Sequence, residues 1–337
     1  MLPWIGRNWF LIAFTGALAA AAYAPAPGAA GGAFALDQAK PWLITGIFLI
    51  AGLTLPTRQL GVALGSVRAH VFVQGFAFLM VPCLMLGLDP VLAAAGLAPE
   101  LRQGLLVMAC LPTTIATCVA QTRAGGGDEA MALCESALGN LLGVFVTPVL
   151  VLLCTGRDAA VPVLEVLRTL GLTVILPLIV GQLISLPCAR ALSAKRRWFG
   201  TATSLLLVAL IYHIFCNSFA RGWNVPRSHL FAVGTVVAVL HAVLLVGALA
   251  LSAAPVFAFG RRQRVAATIC ASQKTAALGV PLLTILYHGD PALPLLSAPL
   301  LMYHFLQLLV ATALTPLWRQ WADGPVSPPA AGSRVGD

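Results

Sequence analysis

The chain has 337 residues, 59% of them hydrophobic and 9% charged, where a water-soluble domain carries about 25% charged residues. Its main solvent is therefore expected to be lipid. The apolar runs are continuous and lack the period of two of barrel strands, which excludes a membrane β-barrel and leaves an all-α integral membrane protein. The net charge of +9 sits in short connections between the runs, where it orients a membrane protein and does not read as a nucleic-acid surface.

One crossing takes roughly 20 apolar residues, and ten runs approach that length: 8–24, 41–56, 70–88, 101–123, 129–154, 163–187, 199–219, 229–254, 264–288 and 293–318. An Ala/Gly/Pro loop, 24–36, follows the first. Residues 322–337 read as a disordered cytoplasmic tail. Thirteen Lys and Arg fall on the side that holds Arg7, Arg58 and Arg197, six on the side that holds Lys40 and Arg227, and Lys274 lies inside a span. This asymmetry predicts a multi-pass protein of the cell (inner) membrane with both termini cytoplasmic. The eight cysteines are scattered, without CxxC or Cys/His spacing, and read as small hydrophobic residues.

The two halves resemble each other. Arg102-Gln103 enters span four eight residues before Cys110, and Arg262-Gln263 enters span nine at the same offset from Cys270. Thr147-Pro148 near the end of span five matches Thr315-Pro316 near the end of span ten. Five spans per copy turn the second copy upside down, so the chain is predicted to hold two inverted five-helix repeats, 1–155 and 163–321.

Spans four and nine carry polar clusters at their middles. Pro112, Thr113 and Thr114 lie about 15 Å past Arg102, and Ser272, Gln273, Lys274 and Thr275 about 12 Å past Arg264, counting ~1.5 Å per residue. Both helices are expected to be discontinuous there and to cross at mid-membrane. Free N–H groups of one half-helix then suit an anion and free carbonyls of the other a cation. Pro82, Pro148, Pro177, Pro281 and Pro316 read as plain kinks.

A lysine at that depth costs about 2.5–3.5 kcal/mol to insert and is usually paired. Glu135 is the one acid well inside a span and is the nominated partner, with access to water at the start of span five as the alternative. Ser136 and Asn140 share a helix face. Tyr303 and His304 fall opposite Glu135 and Ser136 in the repeat alignment and read as cavity-lining. His241 reads as a hydrogen-bonded packing residue, and Gly139 with Gly143 as a close helix contact.

The stretches Cys110–Val119, Thr122–Ala130 and Ser136–Pro148, with His70–Phe76 and Cys270–Thr275, resemble the bile acid:sodium symporter-like transporters, in a bacterial and vertebrate branch with a span-nine Ser-Gln-Lys motif. The resemblance covers nearly the whole chain. It implies ten spans, a core domain with crossed spans four and nine, a smaller panel domain and two sodium sites at the crossing. Carried over by position, it makes Thr117, Cys118, Ser136, Gln74 and Gln273 ion-site residues, with Glu135 beside them; Thr117, Glu135, Ser136 and Gln273 are the candidate sodium ligands. Two departures stand out: Ile269 occupies the position of the shared span-nine acid, and Cys118 that of an amide.

The chain is therefore expected to be a secondary active transporter that moves a small organic solute, an organic anion, by alternating access. Lys274 is expected to replace a coupling cation, paired with Glu135. Coupling to sodium or to protons is expected, and no cofactor. A monovalent cation/proton antiporter and a sodium-coupled symporter are the alternatives. No HExxH, no loop GxSxG and no acid pair across spans points to an enzyme.

Overall fold

A computed structural model describes residues 2–55, 66–156, 168–222 and 226–324. Within them the chain is helical without strands. The first five residues of the predicted sixth span and the tail from 325 onward lie outside this set. The last helix runs on to Asp323, two residues into the segment expected to be disordered.

The helices are α1 (Leu2–Tyr23), α2 (Leu36–Thr54), α3 (Val67–Ala94), α4 (Pro99–Ala109), α5 (Ile115–Ala124), α6 (Glu129–Thr155), α7 (Leu176–Ala194), α8 (Arg196–Ala220), α9 (Arg227–Leu251), α10 (Arg261–Ser272), α11 (Ala276–Leu286) and α12 (Leu293–Asp323). Seven helical segments of the described residues are long and apolar enough to cross a bilayer. Span four is absent from that count because it is divided: α4 and α5 have 11 and 10 residues, each shorter than a crossing requires. Large apolar side chains such as Leu79, Leu153, Leu183 and Phe231 point outward, as a lipid solvent allows.

Local sequence sets the helix ends. Pro99 opens α4 at a position where its missing N–H costs nothing. Asp128 caps α6 by accepting from the Met131 amide at 3.0 Å. Gly126, at φ +70°, makes the turn between α5 and α6. Arg102 forks onto both oxygens of Asp89 at 2.9 Å and ties α4 to the end of α3.

The helices pack in two groups. Helices α1, α2, α7 and α8 pack on one another, and α3–α6 pack with α9–α12. In the first group α2 and α7 cross closely, because Gly52 lies against the Leu178 carbonyl and Gly181 against the Leu49 carbonyl. The loop before α2 is pinned to α8, where His213 Nδ1 stands 2.8 Å from the Gly28 carbonyl and the Ala30 amide donates to Asn217 at 2.9 Å. In the second group α10 and α11 are central: 89% of their apolar window is buried, against 28–50% for the other candidate spans.

Candidate functional site

The two interrupted helices meet at their breaks. Residues Cys110–Thr114 separate α4 from α5, and Gln273–Thr275 separate α10 from α11. An interruption strands carbonyls that a helix would satisfy, and in an apolar interior each must find another donor. Here each of five consecutive carbonyls has one. Ala109 and Leu111 accept from the Lys274 ammonium at 2.8 and 2.7 Å. Cys110 accepts from the Thr147 hydroxyl at 2.9 Å, Pro112 from the Thr275 amide at 2.9 Å and Thr113 from Asn140 at 2.7 Å.

The third acceptor of Lys274 lies on α3, which contains a π turn at Phe76–Met80. The Val81 amide donates to the Phe76 carbonyl, and the next residue, Pro82, has no N–H to give. The Ala77 carbonyl is thereby freed, and the ammonium donates to it at 3.0 Å. An ammonium has three donors, and all three are used. Lys274 is fully buried.

This arrangement corrects two expectations. Pro82 is no plain kink, since it helps create the acceptor for Lys274. Nor does Lys274 pair with Glu135. That carboxylate turns to α3, where His70 Nδ1 stands 2.7 Å from Oε1 and Gln74 donates to Oε2 and to the Glu135 carbonyl, each at 3.0 Å. Gly139 leaves the space that Gln74 fills, and Gly143 the space for the Pro112 ring. The two small residues thus admit particular side chains to the surface of α6.

The far side of the crossing is held by α12. Gln307 clasps the Lys274 backbone, accepting from its amide and donating to its carbonyl, both at 2.8 Å. Tyr303 donates to the Ser272 carbonyl at 2.5 Å and receives the His241 ring nitrogen at 3.1 Å. Tyr303 is fully buried, and His241 packs edge-on against it.

The candidate sodium ligands fall into separate clusters. Gln273 Oε1 accepts from Thr117 at 3.2 Å and Cys118 at 3.1 Å, and its amide donates to Gln121. Cys118 also lies 2.9 Å from the Thr113 hydroxyl. Glu135 belongs to the His70–Gln74 cluster, and Ser136 donates to the Ala132 carbonyl of its own helix at 2.6 Å. Ser272 likewise bonds within its helix, to the Thr268 carbonyl. Thr114 and Thr275 cap α5 and α11 with extended backbone.

A narrow cleft with about 10 Å³ of free space, room for roughly one water molecule, lies beside the crossing between the two helix groups. Phe10, Phe14 and Ile211 line one wall, and Ala276, Leu301, His304 and Phe305 the other. The lining is apolar apart from His304, whose ring meets Phe10 edge-on at 5.7 Å and stands 2.9 Å from Gln307. Ala276 is the first residue of α11, so a helix N-terminus with its unmatched amides borders the cleft.

Three of these residues carry little signal in the sequence: Gln307 is one polar residue in an apolar run, Thr147 reads as a repeat marker, and His70 stands at the edge of a span.

The model of the SBF-like CPA transporter family matches residues 8–320. Sodium/bile acid cotransporter 7 of Danio rerio is 34% identical over 323 residues, covering 95% of this chain and 96% of the relative. The protein of that name from Rattus norvegicus is 30% identical, covering 95% of each. An uncharacterized protein of Pseudomonas aeruginosa is 28% identical over 293 residues, covering 82% of this chain and 83% of its own length.

Proposed function

Because the chain belongs to the SBF-like CPA transporter family, and so is a membrane transporter, we propose that it carries a small organic solute, an organic anion, by secondary active alternating access. In this reading ten crossings form two inverted five-helix repeats, 1–155 and 163–321, in the cell (inner) membrane with both termini cytoplasmic. The group α1, α2, α7, α8 moves against the rest, and the narrow cleft between them widens in that movement to take the solute. Its apolar walls suit an amphipathic molecule, and the α11 N-terminus favours a negative group.

The observation that carries the proposal is the Lys274 ammonium on three carbonyls of interrupted backbone. Carbonyl oxygens around a single positive charge are the surroundings that unwound helices offer a coupling cation in transporters. Lys274 supplies that charge from within the chain, so the crossing needs no added ion to hold together. Coupling then passes to the buried Glu135, whose contact with the partly exposed His70 gives a proton a place to be held and a way out.

The test is thermal melting of the detergent-purified protein in sodium and in potassium, for wild type and Lys274→Ala. A bound ion raises stability by RT ln(1 + [L]/Kd), about 2.7 kcal/mol at a hundredfold excess over Kd. The expected result is no sodium-specific rise in wild type and one in Lys274→Ala. A sodium-specific rise in wild type overturns the substitution and favours sodium symport, the activity in the relatives' names. The Glu135–His70 pair also supports a second reading, monovalent cation/proton antiport. Cation flux driven by a pH gradient in proteoliposomes without organic solute would establish it.

A further inference from the structure

We infer that His70, Cys134 and Glu135 form a binding site for a zinc-class divalent cation on the seam between α3 and α6. The role given to Lys274 does not enter this inference, since its ammonium is committed to carbonyls elsewhere.

A ring nitrogen of His70, the Cys134 sulfur and a Glu135 oxygen all lie within 4.8 Å of one another. A tetrahedral ion with bonds of ~2.0–2.3 Å separates its ligand atoms by about 3.3–3.8 Å. The three donors thus stand within about 1 Å of that spacing, and His70 and Glu135, now 2.7 Å apart, open slightly to admit the ion.

The donor types decide the class of ion. Sodium, magnesium and calcium prefer oxygen ligands throughout, whereas one nitrogen, one sulfur and one carboxylate oxygen suit zinc and its neighbours. Charge balance agrees. On binding, the ion displaces the proton held between His70 and Glu135, the Cys134 thiol gives up its own, both protons pass to solvent, and the sulfur–metal, nitrogen–metal and oxygen–metal bonds form; thiolate and carboxylate then carry two negative charges against the ion's two positive ones. With a neutral imidazole the filled site has no net charge, which an apolar interior tolerates.

Second-sphere support is present. Gln74 holds Glu135 through Oε2, which leaves Oε1 on the side of His70. Such outer contacts orient a metal ligand. Cys134 and Glu135 are buried, while the His70 side chain keeps 15% of its surface exposed and provides the approach. Three protein ligands leave a fourth position open, the pattern of sites that exchange what they bind.

The experiment is a titration of the detergent-purified full chain with Cd²⁺, followed by ultraviolet thiolate-to-cadmium charge transfer, with Zn²⁺ and Mg²⁺ as competitors. The expected result is saturation at about one ion per chain, displacement by Zn²⁺ and not by Mg²⁺, and loss of the band in Cys134→Ser. The exposed Cys83 and Cys188 serve as controls, and their serine variants retain the band. Gln74→Ala weakens binding about tenfold, as loss of an outer contact does, and His70→Gln by at least that much. No band in folded wild type, or a band that survives Cys134→Ser and vanishes with the exposed cysteines, overturns the site. Should Cys134→Ser fail to fold, unchanged affinity in His70→Gln overturns it equally.

Discussion

The Thr275 amide donates to the Pro112 carbonyl at 2.9 Å, so the two interrupted helices are joined backbone to backbone at their breaks. Lys274, the preceding residue, bridges the same two breaks with its side chain and adds α3 as a third party. The centre of the molecule is thus fastened by groups that are not themselves side-chain acids, and its stability should respond to single donors.

Lys274→Met keeps much of the side-chain volume and removes the ammonium. It leaves three buried carbonyls without their donor, at about 1–3 kcal/mol for each that finds no other partner. Unfolding in detergent should show a loss of several kcal/mol, well above that of an ordinary surface change.

Thr147 and Thr284 form a matched pair of probes. Thr147 donates to the stranded Cys110 carbonyl, whereas Thr284 donates to Val280, one turn back in its own helix. Thr147→Val should cost about 1–3 kcal/mol by leaving a buried acceptor unmet. Thr284→Val should be close to neutral, because the helix already satisfies that carbonyl. Equal losses would refute this accounting of the break.

Gly52→Ala and Gly181→Ala each drive a Cβ into a facing backbone carbonyl. Neither backbone can swing aside as a side chain can, so each change should cost about 1–3 kcal/mol. Both relieve themselves by parting α2 from α7, so the double variant should lose less than the sum of the two. Additive losses would mean that the crossing yields locally.

Tyr303→Phe removes the donor to Ser272 and the acceptor for His241. A double-mutant cycle with His241→Phe should give a coupling of about 0.5–3 kcal/mol, as expected of residues within one network. No coupling would mean that Ser272 alone accounts for the tyrosine.

Much of the helical layout was legible because a bilayer imposes its length on the apolar runs, and the predicted span boundaries fall within several residues of the helix ends. The interruptions were legible too, since Pro112 and the Ser272–Thr275 cluster have no place inside an apolar helix. The partner of Lys274 was not. Reasoning from residue types looks for an acid, and Glu135 was the acid at hand. The true acceptors are carbonyls, which every residue carries and which only an interruption sets free. The signal in the sequence was Pro82, whose missing N–H becomes informative only beside a π turn. The Glu135–His70 contact was hidden by position, because a histidine near a span's edge looks like a loop residue.

The π turn in α3 has a further consequence. Such a turn amounts to one surplus residue in an α-helix. It lies between the His70–Gln74 segment and the stretch that continues to Asp89. The wide turn absorbs that residue's rotation, so the segments on either side keep nearly the phase of an unbroken helix. What the surplus residue changes is the ladder: the Val81 amide goes to the Phe76 carbonyl, and Ala77 is left facing Pro82. A helix that never unwinds therefore presents the lysine with a carbonyl of the kind otherwise found only at a helix end.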